Sequence, residues 1–348
     1  MIYLNGEWMP IEEARIPVMD RGFIFGDGIY EYIPVYGRKP FRAAGHFARL
    51  KRSLDAIGIP NPFSDAQWNA LLAEIIAKQS FADQGVYFQV TRGVAPRDHA
   101  FPRDPKPTVY MMSNPLPTPS AAQYANGVAC VTAVDNRWQR CDIKSISLLG
   151  NVLMRQFAAE NDAIESVMFR DGYLSEASAS NVFVVKDGTV LAPLKDNLML
   201  HGITLDAVID LSRDIGLPLE LRPITASEVW CADELWLSSS SKEVLPITTL
   251  DGKPVGASAH VGKPGPVFAK IRAAYNAAKA ESAKALQQSP ATVPASSHCS
   301  PASTTPLPHT GSAGAGARHV WLATNALMVA LTVAPNSRST LASPPGCR

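Results

Sequence analysis

Between residues 114 and 120 the chain reads Asn-Pro-Leu-Pro-Thr-Pro-Ser, with a proline at every second position. Each proline fixes its own φ and removes a backbone donor, so the stretch is an extended, semi-rigid connection and no helix can cross it. It divides the chain into a first domain at 1–115, a linker at 116–121 and a second domain at 122–283, with a tail at 284–348. The 348 residues, 46% of them hydrophobic, suffice for two domains that each bury a core.

Charge narrows the partners. Lysine and arginine total 32 against 31 acidic residues, so no global field gathers nucleic acid or an anionic membrane surface, and small-molecule substrates are expected. Cys130, Cys141, Cys231, Cys299 and Cys347 form no CxxC pair, and no histidine stands at zinc-finger spacing. Reduced thiols in a cytoplasmic protein without a metal site fit that pattern. The opening Met-Ile-Tyr-Leu-Asn-Gly lacks the basic start and apolar run of a secretion signal.

In the first domain, Ile2, Leu4 and Trp8 alternate around an Asn5-Gly6 turn and predict a hairpin. Phe47, Leu50, Leu54 and Ile57 recur at helical spacing before Pro60, and a second helix is expected from the N-cap Ser64 through Trp68, Leu72 and Ile76. Residues 86–92 alternate as a strand. In the second domain, strand-like segments at 129–134, 166–170, 181–185 and 234–238 are punctuated by Asp171-Gly172, Asp187-Gly188 and Asp251-Gly252 turns. Helices are expected near 147–160, 204–215 and 265–283, and Thr225 with Glu228 is a capping box. Many short strands interrupted by helices read as α/β of the α+β kind, closer to a barrel than to a regular βαβ array. After about residue 282, Ala, Ser, Pro, Thr and Gly take over and predict disorder. The apolar stretch at 319–334 is interrupted by Asn325 and falls short of the ~20 residues of a spanning helix, so no membrane anchor is expected.

Several pieces carry candidate chemistry. Lys144, in CDIKSISLLGN at 141–151, is a lone lysine at an expected strand end before an apolar helix. A lysine partly stripped of water suits attack on an aldehyde, and a surface lysine with its stem along the core gives the same pattern. Glu176, in LSEASASNVF at 174–183, sits among hydroxyl residues five positions before Asn181, as in a ligand-holding turn or an ordinary solvated hairpin. LHGIT at 200–204 opens a helix whose free N–H groups and Thr204 suit a phosphate. Ser238 to Ser241 add hydroxyl donors, and Arg49 supplies a cation.

The order and spacing of DRGFIFGDGIYEY at 20–32, HFARLKRS at 46–53, RCDIKS at 140–145, EASASNVF at 176–183 and LHGIT resemble the fold-type-IV pyridoxal-phosphate aminotransferases over residues 1 to about 283. The resemblance implies a small N-terminal α/β domain, a larger C-terminal pseudo-barrel domain, and pyridoxal 5′-phosphate as cofactor. It also implies that Lys144 is the Schiff-base lysine, moving the proton between the substrate's α carbon and the cofactor as base and acid in turn. Glu176 would pair with the pyridine nitrogen and keep the ring cationic. Arg49, Ile203, Thr204 and Ser240 would hold the phosphate, and Leu200 would pack against the ring. Arg137 matches a family position near the lysine, as a site residue or a structural ion pair.

QVTRGVAPRDHAFP at 89–102 carries Arg97 two positions before His99. With Tyr30, this loop looks like the substrate-carboxylate trap of D-amino-acid aminotransferases, because a guanidinium clamps a carboxylate through two parallel hydrogen bonds. In that family the loop reaches the partner subunit's site, so a homodimer is implied. A carboxylate fixed on one side of the ring points the α hydrogen of a D-amino acid at Lys144. The implied reaction is ping-pong: D-alanine or another D-amino acid plus 2-oxoglutarate gives pyruvate or another 2-oxo acid plus D-glutamate. Aminodeoxychorismate lyase and branched-chain L-amino-acid aminotransferase share the fold, and the Arg-x-His loop weighs against both. Ala192, Leu205 and Ala179 depart from the family's threonine, basic residue and serine, with altered kinetics expected at most.

Overall fold

In the computed structural model, which describes residues 1–256 and 258–284, the segment before the proline run forms an antiparallel sheet. Its strands are β1 (Ile2–Leu4), β2 (Glu7–Met9), β3 (Gly28–Tyr36), β4 (Lys39–Pro40), β5 (Gln84–Thr91) and β6 (Thr108–Pro115), ordered β2-β1-β6-β5-β3-β4. Alternation along β3 buries Ile29, Glu31, Ile33 and Val35 completely, so a carboxylate shares the phase of the apolar face. The short α1 (Arg21–Phe25) precedes β3. Then α2 (Ala43–Ala56) and α3 (Asp65–Ala77) bring Phe47, Leu50, Leu54, Trp68, Leu72 and Ile75 into one core with β3 and β5. Ser64 is the N-cap of α3, as the sequence predicts, and Gln67 completes a reciprocal capping box. Trp68 is fully buried, and its Nε1 donates to Asn61 at 3.0 Å; truncating such a side chain to alanine costs about 3–5 kcal/mol.

The proline run is non-helical: Pro115 ends β6, and Leu116 to Pro119 have no regular structure. Ser120 then caps the short α4 (Ala121–Asn126) with Gln123 as its reciprocal partner. The second sheet has nine strands: β7 (Val128–Val134), β8 (Glu165–Arg170), β9 (Tyr173–Ala177), β10 (Asn181–Lys186), β11 (Thr189–Ala192), β12 (Leu219–Leu221), β13 (Glu234–Ser239), β14 (Glu243–Leu250) and β15 (Lys253–Pro254). Their order is β12-β11-β10-β13-β14-β7-β8-β9, with β15 beside β14. Residues 178–180 alone separate β9 from β10, although those strands stand at the edge and third place of the order. The sheet therefore curls until its edge returns toward β10, the barrel-like form expected.

Helices α5 (Leu149–Glu160), α6 (Ile203–Asp214), α7 (Ala226–Trp230) and α8 (Pro266–Lys284) complete the described fold. Along β10, Val182 and Val184 enter one apolar cluster while Phe183 and Val185 enter another with α6 and α8. A strand covered on both faces reads as an unbroken apolar run. Tyr36 and Phe41, from the first sheet's side of the proline run, join the second of those clusters with Phe268, Ile271 and Tyr275 of α8.

One local expectation is corrected. Lys144 is not at a strand end: β7 stops at Val134, and the lysine lies in the irregular segment before α5. Its backbone is fixed by β3 instead, since Tyr30 N–H donates to Lys144 O at 2.9 Å and Ser145 makes an isolated bridge to Ile29. The expectations for the tail from 285 onward, including the stretch at 319–334, lie outside the described residues. Among the described residues, no helix is long and apolar enough to cross a membrane and no acidic, histidine and cysteine cluster could hold a metal.

Candidate active site

A cavity of about 790 Å³ is lined by β3, α2, the segment leading into α5, the β9–β10 turn, the start of α6 and the β13–β14 turn. At one end, Gly202 precedes α6 in an extended conformation without a side-chain cap. The first N–H groups of a helix have no intrahelical acceptor and carry the positive end of its dipole, so Ile203 and Thr204, both on the cavity wall, form a cradle for an anion. Glycine at position 202 leaves room for the Asn181 amide, against which a Cβ would press.

Arg49 borders the same end and is held from behind by Glu31: Nε and Nη2 each donate to its carboxylate at 2.7 Å, and Nη1 donates to His201 O at 3.1 Å. Burial alone would push the Glu31 carboxyl up, but the Arg49 charge and the hydrogen bonds from Arg49 and His46 hold it far below the usual range. An ionised Glu31 can only accept, so His46 Nδ1, 2.7 Å away, carries the proton. Burial pushes His46 down, leaving a neutral imidazole beside an arginine–glutamate pair. Across the cavity, Ser238 Oγ is buried without a hydrogen-bond partner among the described residues, and Ser239 to Ser241 continue the wall. An unpartnered buried hydroxyl on a cavity wall is a donor awaiting an acceptor.

The other end holds Glu176, 5% exposed. Its Oε1 accepts from Arg137 Nη1 at 2.8 Å, and its Oε2 accepts from Leu200 N–H at 3.1 Å and Asn181 Nδ2 at 3.2 Å. Burial outweighs the nearby Arg137 charge and lifts this carboxyl to about 7. Arg137 compensates it only in part, because its Nε and Nη2 are both committed to Asp135 at 2.9 Å. Arg137 is thus a structural ion pair as well as part of the cavity lining. On the same cavity wall, Lys144 is half-buried, with Nζ 4.1 Å from the Tyr30 ring centroid. The Lys144 N–H donates to Ser53 Oγ at 3.3 Å.

Lys144, Arg49, Glu176, Leu200, Ile203, Thr204, Ser240, Arg137 and Tyr30 all line this one cavity. Arg97 and His99 do not: both are exposed, with the guanidinium 5.4 Å and the imidazole 5.4 Å from the Phe25 ring centroid. Their loop is nevertheless anchored, since buried Arg21 donates to the carbonyls of Asp98 and Ala100. Ala192 and Leu205 are fully buried in the α6–α8 core, away from the cavity wall, and Ala179 lies on that wall. Sequence reasoning did not single out Glu31, His46 or Asp135. Glu31 carried a usable signal, a charge in phase with Ile29 and Ile33 on a strand.

One cavity therefore joins an anion cradle, an amine and a carboxyl that lacks a full counter-charge, a donor set that fits a phosphorylated aldehyde carrying a basic ring nitrogen. Residues 28–250 match the model of the amino-transferase class IV family, and the chain belongs to that family. Among curated relatives, a D-alanine aminotransferase of Bacillus licheniformis is 38% identical over 286 residues, covering 82% of this chain and 99% of that one. Among solved structures, the Escherichia coli branched-chain amino acid aminotransferase superposes with a TM-score of 0.73 at 25% identity, covering 79% of this chain and 93% of that one. The branched-chain aminotransferase from the thermophilic archaeon Thermoproteus uzoniensis, solved with norvaline, has the same fold, with a TM-score of 0.72, 24% identity and coverage of 80% and 95%.

Proposed function

We propose that this chain is a pyridoxal-phosphate-dependent D-amino-acid transaminase, converting D-alanine or another D-amino acid and 2-oxoglutarate into the 2-oxo acid and D-glutamate. The observation that carries the reading is the single cavity that Lys144, Glu176, Arg49 and the start of α6 line together. The likeness to D-alanine aminotransferase across nearly that enzyme's whole length supports the substrate class. Bound pyridoxal phosphate supplies an aldehyde for the amine and a ring that takes up the electron pair left on the substrate's α carbon.

Arg49, the Ile203 and Thr204 N–H groups, the Thr204 hydroxyl and Ser240 bind the phosphate. Glu176, short of a full counter-charge, favours a protonated ring nitrogen beside it, while Leu200 packs on the ring. Lys144 holds the cofactor and then moves the proton from the α carbon, as base and afterwards as acid. Tyr30 contributes its phenol to substrate carboxylate binding. Arg97 and His99 serve the site of a second copy, because their loop, anchored by Arg21, is exposed and does not line its own cavity. Phe23 and Leu149, 77% and 72% exposed, offer apolar surface for such a homodimer. We place the division between a first lobe at 1–115 and a second at 122–283, because the two sheets share no strand, and a lone bridge joins Ile29 to Ser145 across residues 116–121.

The experiment measures pyruvate formed from D-alanine and from L-alanine with 2-oxoglutarate. Formation from the D-enantiomer alone is expected; use of the L-enantiomer alone would overturn the reading in favour of an L-transaminase of the branched-chain type. Release of 4-aminobenzoate from aminodeoxychorismate would favour the lyase. Borohydride should fix the cofactor on the peptide containing Lys144, and Lys144→Ala should abolish that labelling.

A further inference from the structure

Glu165, the first residue of β8, is completely buried and is not on the cavity wall. It nevertheless touches two segments that are. Ala179 N–H and Ser180 Oγ donate to it at 2.9 and 2.8 Å, and Ser178 Oγ donates as well, so its carboxylate gathers the whole β9–β10 turn that follows Glu176. From the opposite side, Lys242 Nζ approaches its Oε1 at 2.8 Å. Lys242 closes the turn Ser240–Lys242 between β13 and β14, and its N–H donates to Ser239 Oγ at 3.1 Å.

We infer that Glu165 and Lys242 are positioning residues that strap the turn behind Glu176 to the turn bearing Ser240, fixing the spacing between the acid end and the phosphate end of the site. The inference rests on the reading that the cavity takes pyridoxal phosphate. An ion pair whose carboxylate is fully buried and takes three added hydrogen bonds is stiff, and breaking one side leaves that carboxylate uncompensated. Neither side chain lines the cavity, so any change in cofactor affinity on altering them is transmitted through the turns. Ala179 takes part through its backbone N–H, so the absence of a hydroxyl at that position costs the strap nothing.

The test is a double-mutant cycle in the full chain: Glu165→Gln, Lys242→Met and the pair, each titrated with pyridoxal phosphate after cofactor removal. Melting of each cofactor-free variant reports that it is folded. Each single change is expected to weaken cofactor binding about tenfold, and the pair no more than the worse single, because a strap cut once has little left to lose. A role confined to stability would lower the melting temperature and leave cofactor binding unchanged, and that result overturns the strap. So would multiplication to about a hundredfold in the pair, the mark of independent effects. If Glu165→Gln fails to fold, Lys242→Met, at a partly exposed position, decides the question by its dissociation constant alone. Failure of the unaltered chain to bind the cofactor would sink the functional reading instead.

Discussion

Glu31 and Glu176 are both buried and both hydrogen-bonded to an arginine at the cavity, yet one is held far below the usual carboxylate range and the other is lifted to about 7. Burial pushes each of them upward, so the difference lies in the partners. Glu31 receives Arg49 through two parallel hydrogen bonds and His46 through a third. Glu176 also accepts three hydrogen bonds, but two come from the neutral Leu200 N–H and Asn181 amide and the third from an arginine whose Nε and Nη2 belong to Asp135. A saturated carboxylate behaves as structure. An undersupplied one retains an appetite for positive charge, and the cavity is where that charge can arrive.

The severest way to break this contrast is Arg137→Leu, which strands Glu176 and leaves Asp135 with the weaker contact to Arg170. A loss of about 3–5 kcal/mol is expected in urea denaturation, and a loss under about 1 kcal/mol would mean the pair is not electrostatically important. Glu176→Gln should lower kcat by roughly 10²–10³ with cofactor still bound, read in the half-reaction with D-alanine. An unchanged kcat would remove this acid from the chemistry. Glu31→Gln leaves Arg49 uncompensated and should cost the cofactor-free protein about 2–3 kcal/mol. The loaded protein should lose less, because the phosphate then balances the arginine; equal losses would separate Arg49 from phosphate binding.

The smallest effects are in pH. Glu31, lowered on folding, contributes stability that is complete above the ordinary 4.5 and is lost as pH falls below it. Glu176, raised on folding, acts oppositely: the folded cofactor-free chain binds the extra proton between 4.5 and about 7, so stability drains as pH rises through that window. Glu176→Gln should flatten this alkaline limb and recover about 2 kcal/mol at pH 8. An unchanged slope in thermal melts across that window would show that Glu176 is already paired before any cofactor arrives.

Legibility follows the range of the interactions. Lys144, Glu176 and the α6 entrance lay in compact strings and could be read in order, as could the N-cap at Ser64 and the capping box at Thr225, whose partner stands three residues away. Strands β3 and β14 escaped notice because each buries a glutamate, Glu31 or Glu243, on an otherwise apolar face. A carboxylate there looks like an interruption until its partners are known, and those come from elsewhere: Arg49 lies 18 residues from Glu31, Arg272 29 from Glu243. Lys144 was misplaced at a strand end for a similar reason, since the hydrogen bonds that fix its backbone come from β3 and Ser53. Arg97 and His99 were legible as a pair in the sequence, and the structure leaves both exposed and off the cavity wall.

Residues 178–180 make the second sheet's curl possible and adjoin Glu176, which gives the molecule an uneven tolerance for cargo. Lengthening that corner would unroll the sheet and carry the acid off with it. At the far hairpins, Gly172, Gly188 and Gly252 keep their positive φ and have nothing within 4 Å of the Cβ direction, so the space beside those bends is open. Fluorophores, tethers or inserted peptides are best grafted at those exterior bends, where extra length has open room to occupy.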